Sequence, residues 1–414
     1  MSQILHEHHF ANGLTLIVEP MPWLESVAFS LTLPGGAIHD PADRLGLSNL
    51  TNDMVQRGGG ELDSRAFTAA LDNLGVVFSS NVTNSFASFA GAMPADQLTS
   101  ALPLYADMLR RPQLPIEKLD EAKLVCIQEI RAAEDDLAQR VLAQLRKRRY
   151  PHPFGREPQG EMAAIEAATM ADVTGHYANC YGPGECVMSV AGNVDWPALR
   201  SRVEELFGDW QPQSTPRTPG APPETDYLHI EHGSSQTHIG ISFPIVPYRD
   251  PSYYRARAAI GVLSDGMSSR LFTELREERG LCYAVFASYH SLPELGSVQC
   301  YVGTTTEHAQ ESLDVMIDEL TRLGDGVAED ELERLRARFK SGLIMQQESS
   351  TSRAASMGSD WRLLGRVRSM EEISQAINDL NSDSINEFLT AHRPTGFQVV
   401  SLGAKRLEMP VGVS

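Results

Sequence analysis

The chain has 414 residues, of which 42% are hydrophobic and 21% charged, and it carries a formal net charge of −19. A length of this order exceeds what one core organises and points to two or more domains. The balance of apolar and charged residues sets aside disordered and fibrous classes. The acidic surplus argues against a nucleic-acid partner, which needs a basic footprint.

The first residues, MSQILHEHHFANGL, show no basic stretch leading into an apolar run and a small-residue cleavage site. No segment approaches the roughly 20 apolar residues that span a bilayer, so a membrane partner is not expected. The five cysteines, Cys126, Cys180, Cys186, Cys282 and Cys300, are odd in number, scattered, and form no CxxC pair. They read as reduced thiols, and a cytoplasmic location is expected.

The chain opens with a hairpin-like pair, Leu14–Glu19 and Val27–Leu33, the latter alternating apolar and polar residues as a half-buried strand does. A helix is expected over Gly46–Gln56 and another over Ser64–Leu74. Gly58-Gly59-Gly60 lacks the GK[ST] of a phosphate loop and reads as a flexible joint. Val77–Ala92 reads as two strands, with Val77–Val82 a candidate sheet edge. Helices follow over Ala95–Arg110 and Ile116–Arg149, then a strand at Cys186–Gly192 and a closing helix at Trp196–Phe207. The proline-rich stretch Trp210–Glu224 holds neither a helix nor a central strand and is read as a linker. Beyond it, Thr237–Phe243 alternates like Val27–Leu33, Met267–Arg279 reads as a helix stopped by Gly280, and Tyr283 opens an apolar strand.

The two sides of the linker look duplicated. Val27–Leu33 runs into Pro34 and then Asp40-Pro41. Thr237–Phe243 runs into Pro244 and then Asp250-Pro251, every match at an offset of 210 residues. A period this long means duplicated domains rather than a solenoid. The expected fold class is α+β with two homologous half-domains, each a mostly antiparallel sheet with helices packed on one face. The expected division is 1–212, a linker at 213–224, and 225–414.

Asn12-Gly13-Leu14, Leu33–Gly36, Gly46–Asp53, Ala191–Asp195 and Ser268–Tyr283 follow one another in an order and spacing that resemble the pitrilysin/insulinase family of zinc peptidases. That family also contains mitochondrial processing peptidase. The resemblance implies chains that pair into a clamshell dimer. It also implies an inverted zinc motif, HxxEH, whose two histidines share one helix face. A Glu about 76 residues downstream completes the ligand set.

In this sequence the motif positions hold Asn49, Asn52 and Asp53, while the distal position keeps Glu129. Catalytic zinc takes three protein ligands and an open position, and an amide oxygen is a poor substitute for imidazole. Asn52 has no basic lone pair near neutral pH and cannot serve as general base. Neither tight zinc nor hydrolysis by this chain alone is expected, and a weak hard-cation site at Asp53 and Glu129 stays open as the lesser alternative. Read without the resemblance, the three residues are the polar face of a helix whose apolar face is Leu47, Leu50 and Met54. His6, His8 and His9, and likewise His229 and His232, have no Glu at metal-binding spacing and read as surface residues.

The second half keeps LREERGLCY. By resemblance, Arg276 and Tyr283 are the pair that holds the substrate backbone and stabilises the tetrahedral intermediate. Spacing alone allows another reading, in which Arg276 pairs with a nearby Glu and Tyr283 packs in a core. The resemblance implies a regulatory or substrate-binding subunit that supplies Arg276 and Tyr283 in trans. Its expected partners are a paralogous HxxEH-bearing subunit, which would carry the zinc, and a peptide substrate. The alternative is a non-peptidase scaffold or peptide-binding protein of the same fold.

Overall fold

The computed structural model describes residues 3–213, 220–223 and 227–410. Positions 214–219 and 224 of the expected linker lie outside the described residues. The chain forms two compact units, each assembled from separated stretches of sequence.

The first unit holds Met1–Ala132, His152–Ala221 and Met345–Val367. Its six-stranded sheet has the order His6–His9, Thr15–Pro20, Val187–Gly192, Ser26–Leu33, Ala87–Pro94, Val77–Val82. The pairing of Thr15–Pro20 with Val187–Gly192 is parallel and the others are antiparallel. His6–His9 and Val77–Val82 are the two edges. The period-2 geometry of strands divides the apolar residues between two faces. Leu16, Val18, Val27, Phe29 and Leu31 join a core with the helices Ser64–Asn73, Leu98–Arg110 and Trp196–Phe207. Ile17, Ala28, Val187 and Ala191 face the other way, onto Ala354 and Met357 of the helix Ser350–Leu364. Both faces are therefore covered, which explains why Ser26–Leu33 is buried nearly throughout despite its alternating sequence.

The second unit holds Ala133–Pro151, Pro222–Ile344 and Arg368–Ser414. Its five-stranded sheet has the order Cys282–Ser291, Gly296–Thr305, Gln236–Ile245, Gln398–Gly403, Leu228–Glu231. Set beside the first sheet read from Val77–Val82 and without its His6–His9 edge, this is the same succession of strands, and the parallel pair again lies between the last two. The duplication read from three short matches thus extends to the whole sheet topology. Ile239, Ile241 and Phe243 pack on the helices Tyr253–Ser264 and Ala309–Arg322. The opposite face, with Tyr301, Val400 and Leu402, receives Val141, Leu142 and Leu145 of the helix Leu137–Arg149.

Each unit so completes its sheet with one helix from the other half of the sequence, and this departs from contiguous halves meeting at 213–224. Two local features carry the exchange. The single helix expected over Ile116–Arg149 is broken into Leu119–Asp135 and Leu137–Arg149. At the break Asp136 takes an extended conformation, and its carboxylate accepts from the Ala138 and Gln139 amides at 3.0 and 3.1 Å as an N-cap. At Gly240 a β-carbon would stand 2.8 Å from Val141 Cγ1, so the bare backbone lets the helix settle on the strand. The returning helix Ser350–Leu364 is anchored by an ion pair between fully buried Arg353 and Glu19 and by Ser189 Oγ donating to the Ala354 carbonyl at 2.7 Å.

The glycines at 58–60 are not a loose joint. Gly58–Gly59 pairs with Leu62–Asp63, and a β-carbon at Gly59 would meet the Met108 backbone at 2.6 Å. Close packing against the Leu98–Arg110 helix is what these positions require of glycine.

Candidate functional site

The helix Leu47–Val55 carries Asn49, Asn52 and Asp53. Its N-terminus is fixed by Asp40, whose carboxylate accepts from the Gly46 and Ser48 amides at 2.7 and 2.8 Å. Gly46 takes a positive φ of 95°, and a β-carbon there would stand 2.6 Å from the Gln159 carbonyl. Leu47, Leu50 and Met54 pack against Cys126, Ile127 and Ile130 of the Leu119–Asp135 helix. This packing brings Glu129 to the motif helix across 76 residues of sequence. Asn49 Nδ2 donates to Glu129 Oε2 at 2.7 Å and lies 3.7 Å from Cys126 Sγ.

The remaining groups are also engaged. Arg57, one turn beyond Asp53, donates to its carboxylate at 2.5 Å and lies 3.5 Å from Glu121. Asn52 is buried, its Nδ2 donates to Ser80 Oγ on the Val77–Val82 edge strand at 3.3 Å, and its Oδ1 has no partner among the described residues. Burial pushes the Cys126 thiol up to about 12, with the Asp53 and Glu129 carboxylates adding to the effect, so no thiolate is offered. Among the described residues no three His, Cys, Asp or Glu side chains come together as metal ligands. Zinc does not fit this donor set. Two amides stand where imidazole and the general base are needed, a guanidinium holds Asp53, and an amide donor holds Glu129.

Arg276 and Tyr283 lie in the second unit. The helix expected over Met267–Arg279 is wound as a π-helix from Phe272 to Glu278, a form that recurs at functional sites. Arg276 is exposed, its guanidinium lies over the Phe272 ring at 5.0 Å, and it has no carboxylate partner among the described residues. Neighbouring cations do find acids: Arg270 binds Glu331 at 2.7 Å, and Arg279 lies 3.7 Å from Glu274. Gly280, with φ of 62°, ends the turn, and Leu281 N returns to the Leu275 carbonyl at 2.8 Å. Tyr283 follows at a register shift between Cys282 and Ala284, which turns it out of the strand's alternation. It is 47% exposed rather than packed in a core. The readings of Arg276 as a Glu partner and Tyr283 as a core residue are therefore not what the fold contains.

Tyr283 also has neighbours that the sequence did not single out. Its hydroxyl donates to Gln236 Oε1 at 2.7 Å. A β-carbon at Gly303 would stand 2.7 Å from both the Tyr283 and Tyr301 hydroxyls. Tyr301 in turn meets His238 Nδ1 at 2.7 Å. Burial raises the Tyr283 phenol, and the Tyr301 hydroxyl beside it works in the other direction. These residues come from three strands, so no local spacing could announce them. Arg57, four residues after Asp53 and just past the end of the Leu47–Val55 helix, was legible from spacing.

The sequence profile of the insulinase (peptidase M16) family matches residues 17–157, and that of the peptidase M16 inactive domain matches residues 167–339. A Bacillus subtilis protein named an uncharacterized zinc protease is 26% identical over 379 residues, covering 91% of this chain and 92% of its own. The crystal structure of a peptidase M16 inactive domain from Pseudomonas fluorescens superposes with a TM-score of 0.85 at 20% identity, over 98% of this chain and 99% of that one. A protease from Helicobacter pylori superposes with a TM-score of 0.88 at 16% identity, over 97% of this chain and 100% of that one.

Proposed function

We propose that this chain, which belongs to the peptidase M16 (insulinase) family, is the zinc-free subunit of a two-part peptidase. In this reading it binds peptide and supplies Arg276 and Tyr283 to an active site whose zinc is held by a paralogous HxxEH-bearing subunit. The observation that carries the reading is a contrast. The metal positions have become Asn49, Asn52 and Asp53 with their side chains tied up internally. Arg276 and Tyr283 stay exposed, one of them a cation with no carboxylate partner among the described residues. An exposed guanidinium and phenol, both donors, suit a peptide carbonyl on which negative charge develops. The edge strand Val77–Val82 offers unpaired backbone groups onto which an extended peptide can add.

No helix among the described residues is long and apolar enough to cross a membrane. The test is turnover of a quenched fluorescent peptide library by the purified chain, by its nearest HxxEH-bearing paralogue, and by the two together. Chelator-sensitive activity that needs both supports the reading. Chelator-sensitive turnover by the pure chain alone would overturn it. Silence of every combination, with the two chains shown not to associate, would favour a scaffold or peptide-binding protein of the same fold.

A further inference from the structure

Tyr283 is the exposed end of a polar chain that runs into the second sheet. Tyr301 and His238 are buried, at 4% and 6% exposure, on the sheet face covered by the Leu137–Arg149 helix. Tyr301 sits under Phe286, whose ring stacks on it at 5.3 Å, and the Asp136 and Cys282 side chains are the other ionisable groups whose charge acts on it. A head-to-tail order gives each hydroxyl one donor and one acceptor role. In that order His238 Nδ1–H, 2.7 Å from the Tyr301 oxygen, is the donor of its pair, Tyr301 is turned toward Tyr283, whose phenol it favours in the ionised form, and Tyr283 donates to Gln236 Oε1. Gly303 makes this possible, because a side chain there would occupy the space in which the two phenolic oxygens meet.

We propose that Tyr301 and His238 are positioning residues for Tyr283, and that exposed Gln236 holds the Tyr283 proton until a substrate carbonyl takes its place. The inference rests on the proposed role of Tyr283. In the resting chain the Tyr283 donor is occupied by Gln236. An incoming oxygen that accepts the same hydrogen replaces one neutral acceptor with one on which charge accumulates. Donation from Tyr301 then stabilises the charge that this draws onto the Tyr283 oxygen, since chained hydrogen bonds polarise one another. Tyr301 and His238, both inside the sheet, move little during that exchange.

The test replaces Tyr283 with 3,5-difluorotyrosine, whose phenol ionises near neutral pH, and titrates it by absorbance in the full chain. Removing the Tyr301 hydroxyl with Tyr301→Phe withdraws support from the phenolate and raises the pKa at position 283 by about one unit, the size expected for one hydrogen bond to a charged group. Gln236→Leu removes an acceptor of the protonated form and lowers it. Gly303→Ala is the second variant. Its methyl presses on two phenolic side chains rather than on backbone, so the protein folds with the exposed Tyr283 ring displaced from Tyr301, and the pKa rises as with Tyr301→Phe. In the two-subunit enzyme with natural Tyr283, Tyr301→Phe lowers kcat about tenfold with KM unchanged. An unmoved pKa in both Tyr301→Phe and Gly303→Ala overturns the relay. A moved pKa together with undiminished turnover of Tyr283→Phe instead overturns the supply of Tyr283 to the active site and leaves the relay standing.

Discussion

Asn49→His, Asn52→Glu and Asp53→His together in one chain should create a zinc site. Asn49 already reaches Glu129 at 2.7 Å, so a ligand at position 49 and the distal Glu are within reach of a shared ion. Position 53 lies one turn further on the same face. Among the described residues the natural chain offers Asp53 and Glu129 there, and a metal would first have to displace Arg57 from the former and the Asn49 amide from the latter. Built zinc sites with a full ligand set bind with about 10–16 kcal/mol, tighter than micromolar, whereas the natural pair should not reach even about 4 kcal/mol, the millimolar level. Competition with a fluorescent zinc indicator reads the affinity. Thermal unfolding gives an independent readout, because zinc at about 100 times Kd adds about 2.7 kcal/mol to stability. Uptake of one zinc per natural chain at micromolar affinity would refute the donor-set argument. So would loss of that uptake only when Cys126 is replaced, which would identify the thiol as the missing ligand.

In the two-subunit enzyme, Arg276→Ala and Tyr283→Phe should each lower kcat by a factor corresponding to about 3–4 kcal/mol while size-exclusion chromatography shows assembly intact. Burial holds the Asp40 carboxyl up at about 6 against its two amide hydrogen bonds, so folding takes up a proton there. Its contribution is therefore complete below about pH 4 and lost as pH rises through about 6. Asp40→Asn should flatten that part of the urea-measured stability profile by up to about 3 kcal/mol. Arg353→Met leaves Glu19 buried without its cation and should cost about 3–5 kcal/mol, while the double change with Glu19→Met recovers most of it. Gly240→Val drives a side chain into Val141 and Leu145 and should destabilise the second unit by about 1–3 kcal/mol in chemical unfolding.

The sequence by itself determined the α+β class, the duplication and the absence of imidazole at positions 49, 52 and 53. Each of these rests on residue identity and on local period: alternation in Val27–Leu33 and Thr237–Phe243, the repeated Pro and Asp-Pro at one offset, and amides at positions 49 and 52 where no fold can supply an imidazole. The exchange of the Leu137–Arg149 and Ser350–Leu364 helices was decided only in three dimensions. An amphipathic helix records that one face must be buried, not which sheet will bury it, and the cap at Asp136 looks like any Asp within a charged helical run. The π-helical winding that carries Arg276 and the shifted register that turns Tyr283 outward likewise arise from packing rather than propensity. The Gln236, His238, Tyr301 and Gly303 surroundings of Tyr283 are set by antiparallel register between strands distant in sequence, because cross-strand neighbours are fixed by pairing and not by any spacing along the chain.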